Sequence, residues 1–212
     1  RERISAAGLG DRCRVDVLDY RDLPDNLEFD KVASVGMVEH VGRAKLPAYF
    51  HSAYRVLRPG GLFLNHGIVT LAPTAARLVR GVFRRGRAAQ PQAPRGRHSF
   101  IQQYVFPDSE LLTPAENLAP AEAVGFETRD VESLREHYAQ TLRIWLRRLE
   151  SRQDEAVARV GEPAYRIWRL CLAGTARAFA AGRIGVIQTL LAKRRGDGTA
   201  DMARTRAEIY AS

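Results

Sequence analysis

Cysteine is nearly absent: Cys13 and Cys171 are the two in 212 residues. Two thiols cannot build a disulfide framework, so a reducing cytoplasm is the expected compartment. Long apolar runs are missing too. No uncharged apolar run approaches the roughly 18 residues that cross a bilayer. The opening Arg1-Glu2-Arg3 has no apolar stretch behind it, so no signal peptide is expected. Acids are missing from one whole region. From Leu71 to Arg97 there are seven arginines (Arg77, Arg80, Arg84, Arg85, Arg87, Arg95 and Arg97) and no Asp or Glu. That region also lacks the interleaved aromatic rings on which bases stack, with only Phe83 among the arginines. Nucleic acid is therefore not the expected partner. A solvated loop is the plain reading. The sharper one is an arm for an anionic membrane surface, where each nearby Lys or Arg contributes about 1 kcal/mol.

What is present describes an ordinary globular chain. Apolar residues make up 45% and charged residues 27%, and a length of 212 corresponds to about one domain. Lys and Arg total 33 against 24 Asp and Glu, a net charge of +9. Arg1 to Ala7 reads as the last turn of a helix stopped by Gly8-Leu9-Gly10, so further residues are expected upstream.

Strand and helix then alternate. Cys13–Leu18 alternates in polarity and predicts a strand ending at Asp19. Phe29–Val35 predicts a second, closed by Gly36. Arg43–Leu57 predicts a helix whose Leu46, Phe50, Ala53, Tyr54 and Leu57 share a face. Arg58-Pro59-Gly60-Gly61 turns the chain into a buried strand at Leu62–Asn65, giving a right-handed parallel crossover. Asp108–Val124 contains a helix broken or restarted near Pro114 and Pro120, and Gly125–Val131 is a further strand candidate. In the C-terminal third, Leu134, Tyr138, Leu142, Trp145, Leu146 and Leu149 form one apolar stripe. Tyr165, Trp168, Leu172, Thr175 and Phe179 form another. Arg183–Lys193 reads as a closing strand, and the tail from Arg194 is weakly specified.

Ligands of open α/β sheets bind beyond the carboxyl ends of the strands. Three polar groups follow the expected strands: Asp19-Tyr20-Arg21, Glu39-His40 and His66. Connectivity puts Glu39 and His66 on one rim, where a carboxylate and an imidazole can hold an anion's proton, bind a metal or act as acid and base. The plainer alternative makes Glu39 a surface residue at a helix start and His66 a hydrogen-bonded core histidine. With no third ligand at a suitable spacing, the metal signal is weak.

Ser34-Val35-Gly36-Met37-Val38-Glu39-His40-Val41-Gly42 closely resembles the Ser-x-Gly-Met-x-Glu-His-x-Gly signature of the cyclopropane-fatty-acyl-phospholipid synthase family, which includes the mycolic acid cyclopropane synthases. Leu18–Asp22 is similar to its Asp-Tyr-Arg segment. Arg55–Gly61 and Asn65–Ile68 resemble its next helix, turn and strand end. Phe100–Pro107 resembles its Phe-Ile-x-x-Tyr-x-Phe-Pro block, and His137–Trp145 its His-Tyr-x-x-Thr-Leu-x-x-Trp helix. The likeness runs from about Gly8 to Lys193.

This resemblance implies an α/β class I methyltransferase fold: a Rossmann-like, mostly parallel sheet with a helical cap, its first strands lying upstream. Residues 1–212 would be the C-terminal part of that domain, with 68–107 and 133–182 as cap and substrate-channel elements. It implies S-adenosylmethionine as cofactor, with Asp19, Tyr20 and Arg21 in its site. The family's acidic-x-Gly-x-Gly loop has no counterpart in this sequence. The implied substrate is an unsaturated phospholipid acyl chain, and the implied place is cytoplasmic, peripheral to the inner leaflet. In the implied reaction the alkene attacks the sulfonium methyl, a carbocation forms, and a bound bicarbonate takes a proton as the ring closes. The resemblance puts Glu39, His66 and Tyr138 around that bicarbonate, with backbone groups at Val35 and Ile68. Many members carry a cysteine where Thr175 stands, one turn after Cys171; neither is assigned catalysis. The alternatives are a methyltransferase for a small amine or other soluble acceptor, and a non-catalytic membrane-binding fragment. Oligomeric state is not legible.

Overall fold

Apolar residues at alternate positions of a single long strand organise the molecule. In this computed structural model, which describes residues 1–71 and 99–210, the strands are β1 (Phe29–Val35), β2 (Leu57–Thr70), β3 (Glu127–Ser133) and β4 (Ile184–Ala192). They form one sheet in the order β1-β2-β4-β3. β1 and β2 run parallel, and β4 is antiparallel to both β2 and β3. Among the described residues the sheet is thus mixed, with one parallel pairing, rather than mostly parallel. The arginine-rich stretch falls almost wholly outside the described residues, as does most of the cap element expected at 68–107.

The helices are α1 (Glu2–Ala6), α2 (Val38–Val41), α3 (Leu46–Arg55), α4 (Phe100–Tyr104), α5 (Pro114–Val124), α6 (Arg135–Glu150), α7 (Gln153–Val160), α8 (Glu162–Ala180) and α9 (Ala207–Tyr210). α3 is the crossover helix between β1 and β2, shorter than its expected span because Arg43–Lys45 winds as a separate 3-10 turn. α5 begins where Thr113 and Glu116 form a reciprocal capping box, with Pro114 in its first turn, and runs through Pro120. Pro114 therefore starts this helix rather than interrupting it.

Cys13–Leu18 is not a strand. Val15, Val17 and Leu18 are all exposed. An alternating segment becomes a strand only when another backbone lies alongside to accept its ladder, and among the described residues none does.

Phe63, Asn65, Gly67 and Val69 point to the fully buried face of β2, while Leu62, Leu64, His66 and Ile68 on the other face are half-buried. The buried face packs on α3 and α5 through Leu46, Phe50, Phe63, Ala121 and Phe126. The second core joins α6 and α8 to β4 through Leu142, Leu172, Phe179 and Val186. Trp145 and Trp168, placed by periodicity on the apolar stripes of these helices, are 46% exposed and stand at the stripe borders.

Lys193, just past β4, bolts the two ends of this arrangement together. Its Nζ donates to the carbonyls of Tyr54 (2.9 Å) and Leu57 (2.6 Å) and sits 4.7 Å from the Tyr54 ring centroid. The end of a helix leaves carbonyls without intrahelical partners, and here an ammonium satisfies one from α3 and one from the start of β2. Lys193→Met keeps the aliphatic stem and removes the donor. It is expected to cost about 1.5–3 kcal/mol, the range for hydrogen bonds to charged groups. A urea unfolding midpoint equal to wild type would refute this role.

Candidate active site

The carboxyl ends of β1 and β2 open into a cavity of about 740 Å³ whose wall includes Val35, Glu39, His66, Ile68 and Tyr138. All five residues expected around an anion therefore face one space. β1 ends at Gly36, whose φ of 66° is open to glycine and strained for other residues. The chain then enters α2, which carries Glu39. α2 lies close against β2: a Cβ on Gly67 would sit 2.3 Å from Val38 Cγ1.

Glu39 is 7% exposed, an unusual place for a carboxyl. Its Oε1 accepts a hydrogen bond from the Ile68 backbone N–H at 2.6 Å. Its Oε2 is buried and has no partner among the described residues. Its backbone carbonyl accepts from Glu110 N–H at 2.9 Å, so α2 is held from both sides. A buried polar atom left without a partner costs about 1–3 kcal/mol, so Oε2 is where a hydrogen-bonding group would be accommodated in this wall.

His66 lies inside β2, not beyond its end as expected, because β4 pairs with β2 as far as Thr70. Its Nδ1 is 3.2 Å from Gln188 Nε2 on β4. Tyr138 comes from α6, with its ring 5.0 Å from that of Phe179. Burial raises the Tyr138 hydroxyl above its usual pKa, and the charge of Glu39 raises it further, so this hydroxyl keeps its proton.

The remaining wall is largely apolar. Phe100, Ile101 and Phe106 come from the segment containing α4, and Leu170, Cys171, Thr175 and Ala178 from α8. Phe106 also meets His40 (5.6 Å) and Trp168 (6.5 Å), both edge-on. Burial pushes the Cys171 thiol upward, so it is protonated and weakly nucleophilic.

Asp19, Tyr20 and Arg21 do not line this cavity. Asp19 caps a 3-10 turn at Tyr20–Asp22, and Arg21 Nε and Nη2 donate to its two carboxylate oxygens, at 2.9 and 2.7 Å. Those bonds lower the Asp19 pKa to about 2. The Tyr20 ring stands edge-on to Tyr49 of α3, 5.7 Å away. Among the described residues no group of three His, Cys, Asp or Glu side chains could hold a metal ion.

The family model described as mycolic acid cyclopropane synthetase matches residues 1–189. The chain belongs to the mycolic acid cyclopropane synthetase family. It is 44% identical over 210 residues to a probable fatty acid methyltransferase of Pseudomonas putida, covering 99% of this chain and 50% of that protein. It is 35% identical over 194 residues to the tuberculostearic acid methyltransferase of Mycobacterium tuberculosis, covering 90% and 41%. A crystal structure of a mycolic acid cyclopropane synthase complexed with SAH and CTAB superposes with a TM-score of 0.67 at 27% identity, covering 82% of this chain and 58% of that one. The fold is thus the α/β fold of the S-adenosylmethionine-dependent methyltransferases. As a cyclopropane synthetase family member, the chain spans about half the length of the curated relatives it matches.

Sequence reasoning passed over three contributors. Gln188 lies unmarked within the closing strand expected at Arg183–Lys193; its neighbour His66 is far away in sequence, and only strand register joins them. Leu170 had no signal, being one exposed leucine on a long helix. Gly67 was read as part of a strand end, although a glycine inside a strand marks a close approach of another backbone or side chain.

Proposed function

We propose that this chain is the acyl-chain-facing part of an enzyme that transfers a methyl or methylene group from S-adenosylmethionine to the cis double bond of a phospholipid acyl chain, at the cytoplasmic face of the membrane. The observation that carries the reading is Glu39 Oε2, buried with no partner among the described residues, in a largely apolar cavity wall that His66 and Tyr138 share. A small amine would leave most of that apolar wall without a partner; a hydrocarbon chain fills it. Elements within 68–107 and 133–182 serve as the cap in this reading, and the arginines between Leu71 and Arg97 as the membrane-facing arm.

S-adenosylmethionine, when bound, supplies an electrophilic methyl group. This chain provides the open carboxyl end of β1 at Val35-Gly36 and the Asp19–Arg21 turn toward its site, and contains no acidic-x-Gly-x-Gly loop. Bicarbonate, when bound, supplies a base, and the donor set here fits such an anion. Glu39 Oε1 is already engaged by the Ile68 N–H, which leaves Oε2 to share a proton with an oxyanion; two bare negative charges side by side would repel. Tyr138, kept protonated, and His66 offer further donors. In this reading the apolar wall would exclude water from a cationic chain, and Glu39, His66 and Tyr138 would hold a proton acceptor for it.

Expression of the complete protein in cells whose membranes contain cis-unsaturated phospholipids is expected to yield acyl chains one carbon heavier by mass spectrometry. An unchanged acyl profile, with a soluble amine methylated instead, would replace this reading with the amine alternative.

A further inference from the structure

We infer that Gln188, which does not itself line the cavity, is a positioning residue that fixes His66 as a neutral imidazole with its proton on Nε2. The two residues are direct partners across the antiparallel β2–β4 ladder, so their side chains leave the sheet on the same face. Gln188 Nε2 lies 3.2 Å from His66 Nδ1. A carboxamide nitrogen carries two hydrogens and does not accept. Nδ1 must therefore present its lone pair. A neutral imidazole has a single N–H, which then sits on Nε2.

The consequence for chemistry rests on the reaction proposed above. A donor at Nε2 can hold an oxygen of an anion or a carbonyl. It does so without a permanent positive charge beside a chain that itself becomes cationic, where like charges at close range in an apolar cavity repel strongly. Glu39 then brings the site's acidic group, Tyr138 a hydroxyl, and His66 an uncharged donor. Gln188 makes the last of these possible from outside the cavity.

Long-range ¹H–¹⁵N correlation spectra of ¹⁵N-labelled protein at neutral pH read the tautomer directly, without substrate. The outcome is separate from whether the site holds an anion. The wild-type His66 ring is expected to show a protonated Nε2 and a bare Nδ1. Gln188→Glu replaces the donor by an acceptor and is expected to move a proton onto Nδ1. Because Gln188 pairs with Glu132 on its other side, the new carboxylate faces a second one. Gln188→Met, which has no polar hydrogen, is therefore measured alongside and is expected to show a fraction of the Nδ1–H form. A wild-type ring protonated on Nδ1, or doubly protonated, overturns the inference. So does an unchanged pattern in whichever variant keeps its native circular dichroism. A merely structural glutamine would alter stability and leave the ring's protonation pattern alone.

Discussion

Glu39→Gln is expected to lower turnover of the complete enzyme by about 10²- to 10⁴-fold, the usual cost of losing a well-placed acid–base group, with cofactor affinity nearly unchanged. The carboxamide oxygen can still accept from the Ile68 N–H, so the 2.6 Å anchor between α2 and β2 has a replacement and the fold is preserved. What disappears is the ability of Oε2 to share a proton. An amide donates hydrogen bonds, and it neither gives up nor takes a proton in this range. Cofactor affinity is expected to be spared because Asp19, Tyr20 and Arg21, proposed above for the cofactor's site, do not line this cavity. Tyr138→Phe, which removes one hydroxyl and leaves the ring packed on Phe179, is expected to be milder. Steady-state kinetics and calorimetric titration with S-adenosylmethionine separate the two quantities. Wild-type turnover in the variant would end the assignment, as would abolished cofactor binding in a protein that is still folded.

The second large effect comes from a residue with no side chain. Gly67→Ala places a methyl group 2.3 Å from Val38 Cγ1 and 3.6 Å from Glu39 Cδ. Val38 is 5% exposed and has little room to retreat, so α2 must lift from the sheet. Overpacking of this kind costs about 1–3 kcal/mol, and each kcal/mol lowers Tm by about 2–4 °C in a chain of this size. Activity is expected to fall further than stability, since α2 carries Glu39 and its bond to Ile68. The double variant Gly67→Ala with Val38→Ala returns the missing space and is expected to recover part of both losses. A Gly67→Ala protein with wild-type Tm and turnover would show that the contact between α2 and β2 is not tight.

Local signals served the sequence reading well where one element decided its own fate. Phe29–Val35 ended at Gly36 as expected because only a residue tolerant of positive φ makes that turn. Glu39 and His66 were legible as a pair because β1 and β2 are adjacent and parallel, with His66 in register with Val35, the last residue of β1. Cys13–Leu18 shows the limit: its alternation was correct, and the strand still required a neighbour that a pattern cannot supply. His66 shows another. How far β2 extends beyond Leu62–Asn65 is set by the length of β4, so the sequence around His66 could not say whether it sat in the strand or after it. Family resemblance, rather than periodicity, singled out Tyr138; its helical stripe alone reads as packing.

The His66–Gln188 contact joins residues 122 positions apart, and this has a consequence for timing. Pairings between distant segments are slow to form because the intervening chain must be ordered first. β1, α2 and β2 all lie within residues 29–70, so Glu39 and the Ile68 N–H can meet before β4 is made. His66 pairs with Val35 of β1 in that early unit, but its ring has no Gln188 beside it until β4 is made, and Lys193 follows β4 to lock α3. A chain halted before β4 would hold the acid of the site without a fixed orientation for its imidazole. The order of translation thereby keeps a partly made molecule from presenting a finished rim.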